Sequence, residues 1–442
     1  MLGDQSKNAV SILVTLPRLN RIFRRAAVWL CVVSAVVMAA EVPAPQSLIE
    51  QVKLPAVAAP ALPVGAAEGL RFRCAPDRLA ALAPEIGRLL RASGVRPAQY
   101  RQVVDQAAGT LSFVLATPDA DFVTLDFYRR AQFGVKAGMV RLPGPHGMRR
   151  VRTVSQQEIL LALMQHGRLT EFSGSACDVQ ALRDHVAIRQ LIVAWSENLD
   201  WTFPDGRPAR WNGTWWVKGT PRPQVPVERA LRDVFLHQAR YSFGCYTAAK
   251  IVVTQAVLDY YSRVHPDAGR LALVKARLLA DQDPLVDIEP PAMWSFESDF
   301  DPRELPRVGK LLQLQHDVPA GNFIPGDWTY LVNPDPASSQ RAGYEGSNAL
   351  YLGQGRFDDF YNDNDHAYSY RQKIDEVYQW QFGVFSRSRD AAKIHPLSDE
   401  VLGRLGQTPE HGGLVLAIRA VPYLFGYQAL PAWVAPVLQA GN

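Results

Sequence analysis

Apolar residues recur at helical spacing in five stretches of the chain. DRLAALAPEIGRLLRASG (77–94) predicts a helix that stops at Gly94, and SQQEILLALMQHG (155–167) predicts a short one opened by a capping box, Ser155 with Glu158. A longer helix is expected at about 176–199, where Val179, Leu182, Val186, Leu191, Trp195 and Leu199 recur at roughly helical spacing. VPVERALRDVFLHQARYSFG (225–244) predicts a further helix ending at Gly244. YTAAKIVVTQAVLDYYSRV (246–264), apolar nearly all round, predicts a buried one. Short β-type runs stand apart from these. TLSFVLATP and DFVTLDFY lie in the first half; WTYLVNP, NALYLG and GGLVLAIRAVPYLF lie beyond residue 327, set among turns such as PGD, NPDP and GQG. A helix-rich region followed by strands predicts an α+β fold rather than a doubly wound sheet.

One apolar run fits neither pattern. Ala26–Ala40 is uncharged and follows a flank with Arg18, Arg21, Arg24 and Arg25. That is the layout of a signal peptide or an N-terminal membrane anchor, so residues 1–40 are expected to contact membrane at least before processing. The bulk of the chain is then exported, periplasmic or extracellular. Residues 41–69, rich in Ala, Pro and Val, read as a spacer. Residues 70–178 read as a small mixed domain and 179–442 as a second, larger one.

Composition narrows the function classes. With 442 residues, 48% hydrophobic and including 10 tryptophans, the chain is not disordered, and it exceeds one ordinary domain. A formal net charge of +4 gives no case for nucleic acid. Trp201, Trp211, Trp215 and Trp216 fall in a Pro- and Gly-rich loop, where they either cover a core edge or wall a groove; core cover is the reading favoured here. Asp363 and Asp365 lack the rest of a calcium-loop pattern, and no metal or cofactor is expected.

Of four cysteines, Cys31 sits in the apolar run, leaving Cys74, Cys177 and Cys245 as an odd number in an oxidising compartment. Cys245 stands where a loop ending in Gly244 enters the buried helix. Unpaired N–H groups at a helix N-terminus favour thiolate, the nucleophilic form. A base would come from His237, His316 or His366, the last closing the acidic run FDDFYNDNDH.

ALRDVFLHQARYSFGCYTAAKIVV resembles the nucleophile segment of the bacterial spore-coat protein-glutamine γ-glutamyltransferases (transglutaminases), PGDWTYLVNPDP their GD-x-x-Y-x-x-NP strand, and EGSNALYLGQGRF their G-x-N-x-x-x-LG strand. The three blocks stand in the family's order across about residues 225–360. The resemblance implies a papain-like (NlpC/P60-like) α+β core with the nucleophile helix on an antiparallel sheet. It also implies acyl transfer from glutamine to lysine side chains of protein substrates through a thioester on Cys245, with deamidation as a side reaction. Asp327, Asn333 and Asn348 match family positions and are expected to be structural.

The pattern departs at three places. Gly244 replaces a glutamate, Ser347 replaces another with Glu345 two residues earlier, and Phe360 falls at the histidine position unless a short insertion brings in His366. The expected catalytic set is therefore Cys245, His366, Glu345 and Asp359, with Asp358 beside Asp359 as a further substitute base. Once the resemblance assigns Cys245 to chemistry, Cys74 and Cys177 are expected to be bridged, pinning the N-terminal segment to the first catalytic-domain helix. Two other functions suit the same features: an exported Cys peptidase or amidase acting on cell-wall peptides, and a catalytically degenerate envelope binding protein.

Overall fold

A computed structural model describes residues 68–116, 127–204, 207–217, 219–280, 313–315, 321–358, 360, 367–385, 391–407 and 411–420. All belong to one unit of the chain, Ser47–Asn442. The signal or anchor segment, Cys31, His316, Asp359 and His366 lie outside the described residues.

The described residues begin with β1 (Gly69–Arg73), α1 (Pro76–Ala92), β2 (Tyr100–Asp105) and β3 (Thr110–Leu115). A hairpin follows, β4 (Gly138–Gly144) with β5 (Gly147–Thr153), then α2 (Gln156–Leu163) and β6 (Leu169–Ser173). Strands β1, β2, β3 and β6 form one sheet in the order β2-β3-β1-β6, with β1 antiparallel to β3 and parallel to β6. Its apolar face carries Leu70, Phe72 and Phe113; Phe72 stacks on Phe172 of β6 at 5.0 Å.

Helix α3 (Val179–Ser196) is capped by Asp178, whose carboxylate accepts from Gln180 N at 2.7 Å. It serves both apolar clusters. Leu182, Val186 and Val193 pack with the first sheet, whereas Ile188, Leu191 and Trp195 pack with the helices that follow. Those are α4 (Val227–Leu236), α5 (Cys245–Asp259) and α6 (Ala268–Ala280). The disulfide Cys74–Cys177, with Cα atoms 5.8 Å apart, ties the end of β1 to the entry of α3.

The second sheet holds β7 (Gln313–Gln315), β8 (Trp328–Val332), β9 (Gly346–Gly353), β10 (Arg356–Asp358), β11 (Ala367–Ser369) and β12 (Val415–Ala420). Its order is β11-β10-β9-β8-β12-β7, antiparallel at every pairing. Helix α5 packs against both α3 and β9, and its residues from Thr247 onward are nearly all buried. A cysteine-bearing helix on an antiparallel sheet is the α+β core expected of this class. No helix among the described residues is long and apolar enough to cross a membrane.

Two elements differ from the sequence reading. The helix expected over 225–244 ends at Leu236, and residues 238–240 form a short 3₁₀ turn. Beyond it Tyr241 and Phe243 are fully buried, so their rings are drawn into the core rather than arrayed on a helix. The capping box of α2 forms by half. Ser155 accepts from Glu158 N at 3.1 Å, but the Glu158 carboxylate leaves the box and accepts from Gln354 N at 2.6 Å.

Candidate active site

The turn that delivers Cys245 is held from below. Asp233 on α4 accepts from Asn212 Nδ2 at 2.8 Å and from Tyr241 Oη at 2.5 Å, and pairs with His237 Nδ1 at 2.6 Å. This explains the R-D and Y-x-F-x-C spacing physically, because one buried carboxylate anchors both ends of the link between α4 and α5. Residues 210 and 242 exchange backbone hydrogen bonds at 2.6 and 3.0 Å. Trp201 and Trp211 lie 4.5 and 5.3 Å from the Phe243 ring. Trp201 and Trp216 are buried, and Trp211 and Trp215 pack against the same cluster. The tryptophan loop is thus the bed of the nucleophile turn, as the core-cover reading expects.

Gly244 is the N-cap of α5, and no side chain caps this helix. Cys245 is its first residue, a free thiol of intermediate exposure. The first-turn N–H groups have no partner within a helical ladder, so the helix offers donors beside the sulfur. Across from it, Asn348 on β9 aims two donors at Sγ: its backbone N at 3.4 Å and its Nδ2 at 3.5 Å. The orientation of that amide is fixed by Trp328, whose Nε1 donates to Asn348 Oδ1 at 2.8 Å. With the oxygen so engaged, the NH₂ must face the sulfur. The Tyr246 ring packs on Trp328 at 4.9 Å, tying the helix start to the same strand.

Asn348 was expected to be structural, and its place against Sγ could not be read from the sequence, since its partner lies 103 positions away. Asp327 and Asn333 do have structural surroundings. Asp327 is buried between Arg168 and Arg189, accepting from Arg168 Nη2 at 3.0 Å, Arg189 Nη1 at 2.9 Å and Ile324 N at 2.7 Å. Asn333 closes the β8–β9 link by donating to Ser338 Oγ at 2.9 Å and to the Tyr344 carbonyl at 2.8 Å.

The other expected catalytic groups fare differently. Glu345 turns back on its own loop, where its Oε2 accepts from Gly343 N at 2.9 Å, and burial raises its carboxyl above the ordinary range. It makes no hydrogen bond to Sγ. Asp358 is fully buried, receives the Ser196 hydroxyl and accepts from Phe360 N at 2.7 Å. These contacts brace a turn. Phe360 is a core residue with a left-handed backbone, φ 67°, and its carbonyl receives Trp201 N at 3.0 Å. The position that an ungapped alignment gives to the family histidine is therefore packing, not chemistry. His366 and Asp359 lie outside the described residues. Among the described residues no group of three or more His, Cys, Asp or Glu side chains is arranged to hold a metal.

Residues 148–361 match the family model described as protein-glutamine gamma-glutamyltransferase. That segment, just under half of the chain, matches a family of acyltransferases with a cysteine nucleophile. It contains Cys245, Trp328 and Asn348, and it ends before His366. Among solved structures the chain is similar to a transglutaminase from Geobacillus stearothermophilus (without its C-terminal extension), at 20% identity over 59% of this chain and 97% of that one, with a TM-score of 0.34. A likeness this distant carries no part of the functional reading. No curated protein matches the chain.

Proposed function

We propose that the protein joins glutamine and lysine side chains of protein substrates through a thioester on Cys245. The observation that supports this most is the thiol at the N-terminus of α5, facing two N–H donors of Asn348, inside the family-matched segment. Sγ attacks the γ-carboxamide carbon of glutamine and an S–C bond forms. The C–N bond then breaks, and ammonia leaves with a proton supplied by a general acid. His366 is the residue proposed for that role, with Asp359 as a substitute. In this mechanism first-turn N–H groups of α5, including that of Cys245, receive the oxyanion. A lysine amine then attacks the thioester, loses its proton and releases the thiol, leaving an isopeptide bond. Water in place of the amine gives glutamate, the deamidation side reaction.

An oxidising location outside the cytoplasm is part of the proposal, and the Cys74–Cys177 disulfide supports it.

The test is incorporation of a fluorescent primary amine into a glutamine-bearing protein by the purified full chain. Labelling is expected, with loss in Cys245→Ala and a large reduction in His366→Ala. Absence of label together with cleavage of cell-wall peptides would replace the transferase by a hydrolase. Absence of both, with Cys245 alkylated no faster than an ordinary thiol, would leave a binding protein.

A further inference from the structure

The small net charge of the whole chain conceals a local extreme. Between Phe127 and Val154 there are seven of the chain's 47 basic residues and none of its 43 acidic ones, leaving 40 basic to 43 acidic elsewhere. The structure gathers most of this charge onto one hairpin, β4–β5. Its register sets Met139 opposite Arg152, Arg141 opposite Arg150 and Pro143 opposite Met148, so these six side chains share one face. On the other face Leu142 and Val151 are buried and pack in the α3 cluster. The Met–Arg face is turned outward: Met139 is 50% and Met148 43% exposed, and Arg141, Arg150 and Arg152 are exposed. Arg149 adds a fourth guanidinium next to the turn. No carboxylate among the described residues pairs with any of the four.

Like charges directly opposite one another on antiparallel strands destabilise the pair. Arg141 across from Arg150, with Arg152 on the same side, is therefore a local cost that the hairpin's own stability does not explain. A local rule broken without internal compensation points outside the molecule. Guanidiniums interleaved with exposed thioether side chains match a bilayer surface, where arginine heads meet lipid phosphates and the apolar methionines enter the headgroup–acyl boundary. A polyanion without apolar surface would leave both methionines in water, and the face has no aromatic ring on which a base could stack.

We propose that the outward face of the β4–β5 hairpin docks the protein on anionic lipid bilayers, through Arg141, Arg150 and Arg152 with Met139 and Met148 seated among the headgroups. This docking is independent of the reaction at Cys245.

The test is co-sedimentation of the full chain with phosphatidylcholine vesicles containing or lacking phosphatidylglycerol, in low and high salt. Any attachment through residues 1–40 is common to wild type and variant, so the comparison isolates the hairpin. The triple variant Arg141→Gln/Arg150→Gln/Arg152→Gln is expected to bind phosphatidylglycerol vesicles about a hundredfold more weakly, at about fivefold per arginine, and to lose most of the salt dependence. Met139→Asn/Met148→Asn should weaken binding while leaving the salt dependence in place. An unchanged circular dichroism spectrum and melting midpoint show that the variants are folded. Equal binding by wild type and triple variant overturns the proposal, as does wild-type preference for poly-glutamate or duplex DNA over the anionic vesicles.

Discussion

Two buried carboxylates join the first half of the chain to the second sheet, and they do so with opposite electrostatics. Asp327, at the foot of β8, sits between Arg168 and Arg189, which reach it from β6's entry and from α3. Burial alone would raise its pKa, but the two guanidiniums and the hydrogen bonds outweigh that and hold it below the ordinary carboxylate range. Glu158 runs the other way, from α2 to the Gly353–Gly355 turn at the far end of β9. It is buried, Oε1 accepts from Gln354 N, and Oε2 has no hydrogen-bond partner. Burial dominates there, over the Gln354 N–H and Arg356, and pushes its pKa up to about 7. One tie is charged and compensated; the other is only half satisfied. Asn348 and Trp328 lie on the two strands these carboxylates hold.

The difference has a sign in pH. Asp327's depressed pKa contributes stability that is present above its unfolded value and lost as pH falls through its folded one. Glu158 binds its proton more tightly folded than unfolded. Its contribution is therefore greatest below about 4.5 and declines as pH rises to about 7.

The comparison is broken most severely at Asp327. Asp327→Ala leaves Arg168 and Arg189 buried without their shared counter-ion, and removal of one partner from such a cluster costs about 3–5 kcal/mol. Urea denaturation of the purified chain should show that loss near neutral pH, shrinking in acid where the wild-type carboxylate is itself protonated. A loss below about 1 kcal/mol would mean that water or another acid compensates the guanidiniums.

Much of this framework is legible in sequence, and the parts that are not share a cause. Helices α3 and α5 announce themselves because helical spacing is a local property, and both run where that spacing predicts. Gly326–Asp327 and Asn333 stand in a recognisable block, yet nothing local says that Asp327 meets two arginines from 138 and 159 positions earlier. Glu158 shows the competition directly. Three residues after Ser155 it satisfies a capping-box pattern, but the tertiary N–H of Gln354 takes its carboxylate away from the helix start. The β4–β5 hairpin is not legible in the sequence because arginines on both of its faces, at 149 and 150, hide the alternation that marks a strand. The role of Asn348 is equally invisible, since an amide's target is fixed by a fold and not by spacing.

A smaller effect of opposite sign is expected at the second carboxylate. Glu158→Gln keeps an oxygen for Gln354 N and removes the titrating proton. Wild type should lose stability between pH 4.5 and about 7, with a slope of at most about 1.4 kcal/mol per pH unit. The variant should be flat across that window and more stable than wild type above it, by about 3 kcal/mol. Parallel stability curves for the two proteins would show that Glu158 is neutralised by other means. Gly353 bears on the same contact. Its φ is +83°, and a Cβ there would stand 2.6 Å from Glu158 Oε1, so Gly353→Ala should strain the turn and cost about 1–3 kcal/mol whatever the pH.

The smallest change tests whether the compensated tie serves the sulfur as well as the fold. Trp328 follows Asp327 directly, and its indole N–H is what turns the Asn348 amide toward Cys245. Trp328→Phe preserves a ring for Tyr246 to pack on and deletes one hydrogen bond, at a stability cost of about 1 kcal/mol. Freed at Oδ1, the amide can rotate and present oxygen to Sγ, an acceptor that repels thiolate where the NH₂ attracted it. Alkylation of Cys245 by iodoacetamide at constant pH should then slow several-fold while the urea midpoint moves little. Asn348→Ala should slow it similarly, and the double variant should add nothing further, because both substitutions remove the same donor. Additive losses in the double variant, or an alkylation rate equal to wild type in Trp328→Phe, would mean that the indole only packs and that the orientation of Asn348 is held by something else.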